Sequence, residues 1–138
     1  MQKHEKFLCD GTVVKLGKRL RTYGYDVEIT YKTDSYNVSE ILKSTSRILI
    51  TKSPKLHKQL GGIYLISDKL ADLLNEISAK IGKPGPVRCA HCNTVLIECD
   101  KSTIRGKVPL YVFQTHEKFK YCPNCGKVYW KGTHVSQE

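Results

Sequence analysis

The sequence predicts an α/β domain built on a parallel sheet of about four strands with flanking helices, followed by a C-terminal four-cysteine zinc ribbon. Two observations carry that prediction. Short β-rich apolar runs alternate with helical-period segments over residues 1–82, the pattern of strands joined by right-handed helical crossovers. Further on come two Cys-x-x-Cys pairs, Cys89-Ala90-His91-Cys92 and Cys122-Pro123-Asn124-Cys125. Four soft thiolates brought together across two tight knuckles make the tetrahedral sulfur site that zinc prefers. Residues 93–121 between the pairs are enough for two or three short strands, and Pro123 and Gly126 supply the turn chemistry of the second knuckle.

Each element has a local reason. Phe7-Leu8-Cys9 is a short apolar run ended by Asp10-Gly11. Over residues 12–23, Val13, Leu16, Leu20 and Tyr23 recur at helical spacing, and Gly24 provides the stop. Val27-Glu28-Ile29-Thr30-Tyr31 alternates as a strand does. A loop through Lys32-Thr33-Asp34-Ser35 leads to a short helix over residues 36–44. Arg47-Ile48-Leu49-Ile50-Thr51 is the clearest strand, apolar enough for a sheet interior. Pro54 starts the next helix at a favoured first-turn position, and Gly61-Gly62 breaks it. Ile63-Tyr64-Leu65-Ile66 reads as a fourth strand. Ser67 is the expected N-cap of a helix with Leu70, Leu73, Leu74, Ile77 and Ile81 on one face.

Residues 83–88, with Gly82-Lys83-Pro84-Gly85-Pro86 at their start, form the expected linker. The ribbon then spans residues 89–138. Val95-Leu96-Ile97 and Leu110-Tyr111-Val112-Phe113 are its expected strands, with Phe119-Lys120-Tyr121 entering the second knuckle and Val128-Tyr129-Trp130 leaving it. His91, His116 and His134 are potential zinc ligands, but four paired cysteines leave them no vacancy. Two disulfides are the competing account of the cysteines. No apolar signal segment opens the chain, so a reduced cytoplasmic protein and a metal are expected instead. Cys9 is expected as a small core residue.

The 138 residues carry 23 basic against 13 acidic side chains, a formal net charge of +10. That excess favours a polyanionic partner, above all nucleic acid. No apolar run is long enough to cross a membrane, and no lipidation motif or basic amphipathic tail favours a membrane surface. Lys15, Lys18 and Arg19, with Arg21 at the edge, form an acid-free stripe on the first helix. Such a stripe is either a solvated face or a phosphate-contacting one. Lys118, Lys120, Lys127 and Lys131 interleave with aromatics in the ribbon, as a base-stacking, phosphate-neutralising platform would. Trp130 is better suited to packing the small ribbon core, which has little else to bury.

Parallel sheets bind ligands beyond the carboxyl ends of their strands. That rule gathers Asp10, Asp34, residues Thr51 to Ser53, and Asp68. Two or three carboxylates converging there would hold magnesium or manganese, as a metal-dependent nuclease requires. The plainer account is that each Asp caps a helix or closes a turn.

Three stretches, Phe7 to Gly11, Leu20-Arg21-Thr22-Tyr23-Gly24-Tyr25-Asp26 and Arg47 to Thr51, resemble the C-terminal RNase domain of Mut-seven-type exonucleases. Cys89-x-x-Cys92-Asn93 and the run from Tyr121 to His134 continue the likeness along nearly the whole chain. The resemblance implies a PIN-like nuclease fold fused to a zinc ribbon, with RNA as substrate class. It also exposes a departure. Asp10 keeps the acid at the end of the first strand, and Asp34 fits the second acidic position. Where the family has a Thr-Arg-Asp-like motif, this chain has Thr51-Lys52-Ser53, so a neutral hydroxyl replaces a carboxylate beside an added ammonium.

The function expected from these residues is RNA binding by a protein derived from a PIN-like ribonuclease, with cleavage weakened or lost. Lys15, Lys18, Arg19, Arg21, Lys52 and the ribbon lysines would contact RNA, and ribosomal or other ribonucleoprotein association would suit so small and basic a protein. The alternatives are a working endoribonuclease using Asp10, Asp34 and magnesium or manganese, and a zinc-ribbon adaptor that binds other proteins.

Overall fold

A computed structural model describes residues 5–131. The first strand, β1 (Lys6–Cys9), leads through Asp10-Gly11-Thr12 into α1 (Val14–Tyr23), β2 (Asp26–Ile29) and α2 (Ser35–Thr45). β3 (Ile48–Thr51), α3 (Pro54–Leu60), β4 (Ile63–Tyr64) and α4 (Leu70–Ser78) complete this part. The four strands are parallel in the order β2-β1-β3-β4. Strand side chains alternate between faces, and each face is covered. Phe7, Cys9, Val27 and Ile50 pack with Leu16 and Leu20 of α1 and with Leu73 and Ile77 of α4. Leu8 and Leu49 face the other way, against Val38 of α2 and Leu56 of α3. The domain is therefore a three-layer α/β sandwich, as the alternating sequence pattern requires.

α4 starts later than expected. Its N-cap position is Lys69, and the Ser67 hydroxyl instead donates to Glu76 Oε1 at 2.9 Å. A glutamate two turns into the helix thus ties down the preceding loop, a role that periodicity does not display.

After residue 88 an antiparallel sheet follows, β5 (Ile97–Cys99), β6 (Phe119–Tyr121) and β7 (Val128–Trp130), in the order β5-β6-β7. Two corrections fall here. Val95-Leu96-Ile97 is not one strand: Val95 makes an isolated bridge to Arg88, and the ladder begins at Ile97. Leu110-Tyr111-Val112-Phe113 is not a strand at all but opens α5 (Leu110–Thr115). Only Val112 of its β-rich residues is buried, while Leu110 and Tyr111 are exposed, so local propensity had no second strand against which to pack. The short ribbon core has two parts, Leu96 and Tyr129 around Cys89 and Cys122, and Phe119 and Val128 with Ile104 and Val112.

The linker is bonded to α1 rather than spanning open space. Gly85 N donates to Gly24 O at 2.8 Å, and Arg88 N donates to Arg21 O at 2.9 Å. Gly24 closes α1 at φ 109°, and a Cβ there would collide with the Gly85 carbonyl. Only glycine meets both demands.

Candidate functional site

The four paired cysteines converge. The sulfurs of Cys89, Cys92, Cys122 and Cys125 all lie within 4.8 Å of one another, and Cys89 to Cys125 is 3.8 Å. Four sulfurs at about 2.3 Å from a central zinc stand about 3.8 Å apart at the corners of a tetrahedron, so this set could hold a zinc ion. Donors reach three of the four sulfurs, while burial and the neighbouring sulfurs push the Cys125 thiol up to about 12. Tyr129 Oη donates to Cys89 Sγ at 3.2 Å, Asn124 Nδ2 to Cys92 Sγ at 3.2 Å, and Cys125 N to Cys122 Sγ at 3.5 Å. Burial alone would push the Cys89 thiol up. The Tyr129 hydroxyl and the backbone amides of Cys92 and His91 outweigh it and bring Cys89 down to about 7. His91 lies with Lys127, Nε2 to Nζ 3.3 Å, and His116 lies with Thr115 and the Val112 carbonyl. Neither belongs to the sulfur set. His134 lies outside the described residues.

The carboxyl end of the parallel sheet is arranged differently. Asp10 is fully buried at the end of β1. Its Oδ1 accepts from Thr12 Oγ1 at 2.6 Å and from Thr12 N at 3.3 Å, while Oδ2 is buried without a hydrogen-bond partner. Thr12 Oγ1 accepts from Lys52 N at 2.9 Å and stands 3.4 Å from Thr51 Oγ1. Thr12 was not singled out from sequence, yet its hydroxyl joins the ends of β1 and β3. The Asp-Gly-Thr turn was its available signal, since an Asp side chain closes such turns on the residue two positions on.

The sequence-predicted acids do not form a cluster of three with Asp10 among the described residues. Asp34 is exposed and caps α2, accepting from Asn37 N at 2.9 Å; hydrogen bonds from Asn37 hold its carboxyl below the usual range. Ser53 caps α3, its Oγ accepting from Leu56 N at 3.2 Å. Asp68 is almost wholly exposed and pairs with Lys52 Nζ at 2.9 Å. Among the described residues the four cysteines alone form a cluster of three or more metal-ligating side chains.

The basic residues divide as well. Lys15 projects into solvent from α1, with Lys18 and Arg19 half-buried. Arg21 does not belong with them. It is 8% exposed, and its guanidinium donates to Val27 O at 2.8 Å, Ala90 O at 2.8 Å and His91 O at 3.3 Å. Its guanidinium is spent on carbonyls of β2 and of the first knuckle, so Arg21 stitches the two together. Asn93, in the left-handed region at φ 63°, adds a second stitch. Its side chain accepts from Val27 N at 3.2 Å and donates to Asp26 Oδ1 at 2.8 Å. Asp26 also binds Arg47 at 2.9 Å. Lys118 and Lys131 are exposed, Lys120 is half-buried on β6, and Lys127 lies over the Tyr129 ring at 5.8 Å.

No helix among the described residues is long and apolar enough to cross a membrane. No curated protein matches the chain, and no solved structure does. One protein-family comparison does, and it spans both the sheet-end acid and the sulfur centre. The family described as Mut7-C RNAse domain matches residues 5–138, and with a parallel α/β sheet and a four-cysteine ribbon in that order, the chain belongs to that ribonuclease family.

Proposed function

We propose that this protein is an RNA-binding member of its ribonuclease family, with cleavage weakened or lost, working in the cytoplasm and associated with ribosomal or other structured RNA. One observation carries the reading. Two residues past β3, where the resemblance to the family puts an acid, this chain carries Ser53, whose oxygen is committed to the first turn of α3. The neighbouring Lys52 is held toward Asp68. Asp10 thus has the Thr12 hydroxyl as its side-chain partner and belongs to no cluster of three or more metal-ligating side chains among the described residues, whereas a hard divalent cation favours several carboxylates. The net charge of +10 supports retention of RNA affinity.

A second reading, an active endoribonuclease, has its own observation. The partnerless Oδ2 of Asp10 is a buried carboxylate oxygen, and such an atom is costly unless something satisfies it. Magnesium or manganese held by Asp10 would do so and would supply an activated water for phosphodiester attack. The two readings separate in one assay, cleavage of labelled structured RNA in manganese with Asp10→Asn alongside. Bound but intact RNA is the expected result. Cleavage that vanishes in Asp10→Asn would overturn it in favour of a nuclease that tolerates Ser53.

A further inference from the structure

We propose that the groove between the end of α1 and the ribbon sheet binds an unpaired stretch of RNA, an inference that rests on the RNA-binding reading and deepens it. The groove encloses about 760 Å³, in the range of built ligand pockets of about 300–1,000 Å³. Thr22 and Tyr23 line it from α1, and Leu96, Tyr129 and Trp130 line it from the ribbon. An aromatic from each module therefore meets at one cleft, with Tyr23 42% exposed at the rim.

Cations surround this apolar surface. Lys118, Lys120 and Lys131 all reach the groove. Two acids reach it as well, but both have cationic neighbours. Glu117 pairs with Lys101 at 3.2 Å, and Glu98 stands opposite Lys120 in the β5–β6 register. Arg88 is committed to Asn93 and Asp26. Lys118 and Lys131 remain as surplus positive charge. Aromatic side chains set among ammonium groups suit bases and phosphates together, and only unpaired bases offer a face for stacking. A duplex buries those faces.

The groove also has an outlet. Lys15, Arg19 and Tyr23 are spaced four residues apart along α1, so they share one stripe. That stripe runs from the Asp10 turn at the start of α1 to the groove at its end, about 15 Å for ten residues. A strand seated in the groove can follow it to the carboxyl end of the sheet. The ribbon thereby becomes one wall of the RNA site, formed jointly with the α/β domain.

Trp130 is the single tryptophan of the chain, so its emission reports on this groove alone. The test titrates the zinc-loaded protein with a short oligouridylate and with a duplex RNA of equal length, following Trp130 emission and RNA anisotropy together. We expect the oligouridylate to quench Trp130 and the duplex to leave it unchanged. Tyr23→Ala should weaken oligouridylate binding about 10-fold through lost stacking. Lys118→Ala with Lys131→Ala should flatten the salt dependence by about 1.4 in log–log slope, two phosphates at about 0.7 each. Lys43→Ala with Lys58→Ala, on helices covering the opposite face of the sheet, should change nothing. RNA binding seen by anisotropy with Trp130 silent and these variants without effect would overturn the groove while leaving the RNA reading intact. Equal quenching by the duplex would overturn the preference for unpaired RNA. No RNA binding by either readout would sink both proposals. A concentration-dependent change in Trp130 without RNA would assign the groove to a second copy of the chain and overturn the inference.

Discussion

At Cys89, Cys92, Cys122 and Cys125 four ligand atoms point to one centre, whereas at the end of β1 a single buried carboxylate stands among hydroxyls. The contrast comes from how each place is assembled. Each knuckle supplies two thiols from one tight turn, so two local structures docked through one small sheet complete the set. The sheet-end site draws single side chains from separate strands and loops, and each can change alone without harm to the fold. Ser53 illustrates such a position. Serine and aspartate are near-equal helix caps, so α3 keeps its start whichever of them is present, and only a metal would register the difference. A centre built from local pairs is robust to drift, and one built from scattered single residues is not.

The largest effect should come from the sulfur side. Verified zinc removal, or Cys92→Ser, should melt the ribbon while the α/β domain stays folded, since structural zinc contributes about 10–16 kcal/mol of binding free energy. Amide exchange resolved by segment would show it, and full protection of β5 to β7 after metal loss would erase the contrast. Next is the seam between the modules. Arg21→Leu strips donors from the carbonyls of Val27 and Ala90 and should cost about 3 kcal/mol, at about 1–3 kcal/mol per buried acceptor left unmet. Chemical denaturation measures that directly, and a loss below about 0.5 kcal/mol would mean that Arg21 does not join the modules.

Asp26 gives a smaller, pH-dependent signal. Burial pushes its carboxyl up, but hydrogen bonds from Asn93 and Arg47 and the charges of Arg47 and Arg88 outweigh that and hold it below its ordinary value of 3.8. The folded value lies below the unfolded one. Its stabilisation is therefore complete above the ordinary value and disappears as pH falls through the folded one. Asp26→Asn should cost about 1–2 kcal/mol at neutral pH and converge with the parent protein in acid; parallel pH profiles would refute this. The smallest change should be Ser53→Asp, within about 0.5 kcal/mol in stability because the cap is kept. It should nevertheless raise manganese affinity in calorimetry. If it does not, the poverty of the sheet-end site lies elsewhere than at Ser53.

Much of this was legible in the chain itself, for physical reasons. The four cysteines announce their geometry through spacing, and Asp10 is placed by the rule that parallel sheets bind ligands at their carboxyl ends. The strands and helices of the α/β domain follow from periodicities of two and 3.6 residues. Where reading failed, the deciding partner was remote or unpatterned. Arg21 looks like one more cation of a solvated stripe until the Ala90 and His91 carbonyls, far along the sequence, arrive above it. Asp34 sits where an acid was wanted, but its side chain turns to Asn37 and the helix it starts. Leu110 to Phe113 carries strand-forming residues and is still helical: Pro109 stands at its start, and Val112 and Phe113 pack on the ribbon core while Leu110 and Tyr111 stay exposed.

The stitches of Arg21 and Asn93 bear on how this protein can be rebuilt. Zinc ribbons look like interchangeable parts, closed by their own metal and short enough to graft. Here the first knuckle leans its carbonyls on an arginine of another module, and the backbone N–H of Val27 at the sheet edge leans on an asparagine just past that knuckle. A foreign ribbon would fold around its own zinc and still leave an edge strand unsealed and a guanidinium stranded. A chimera that keeps this seam would carry Arg21, Asp26 and Asn93 together.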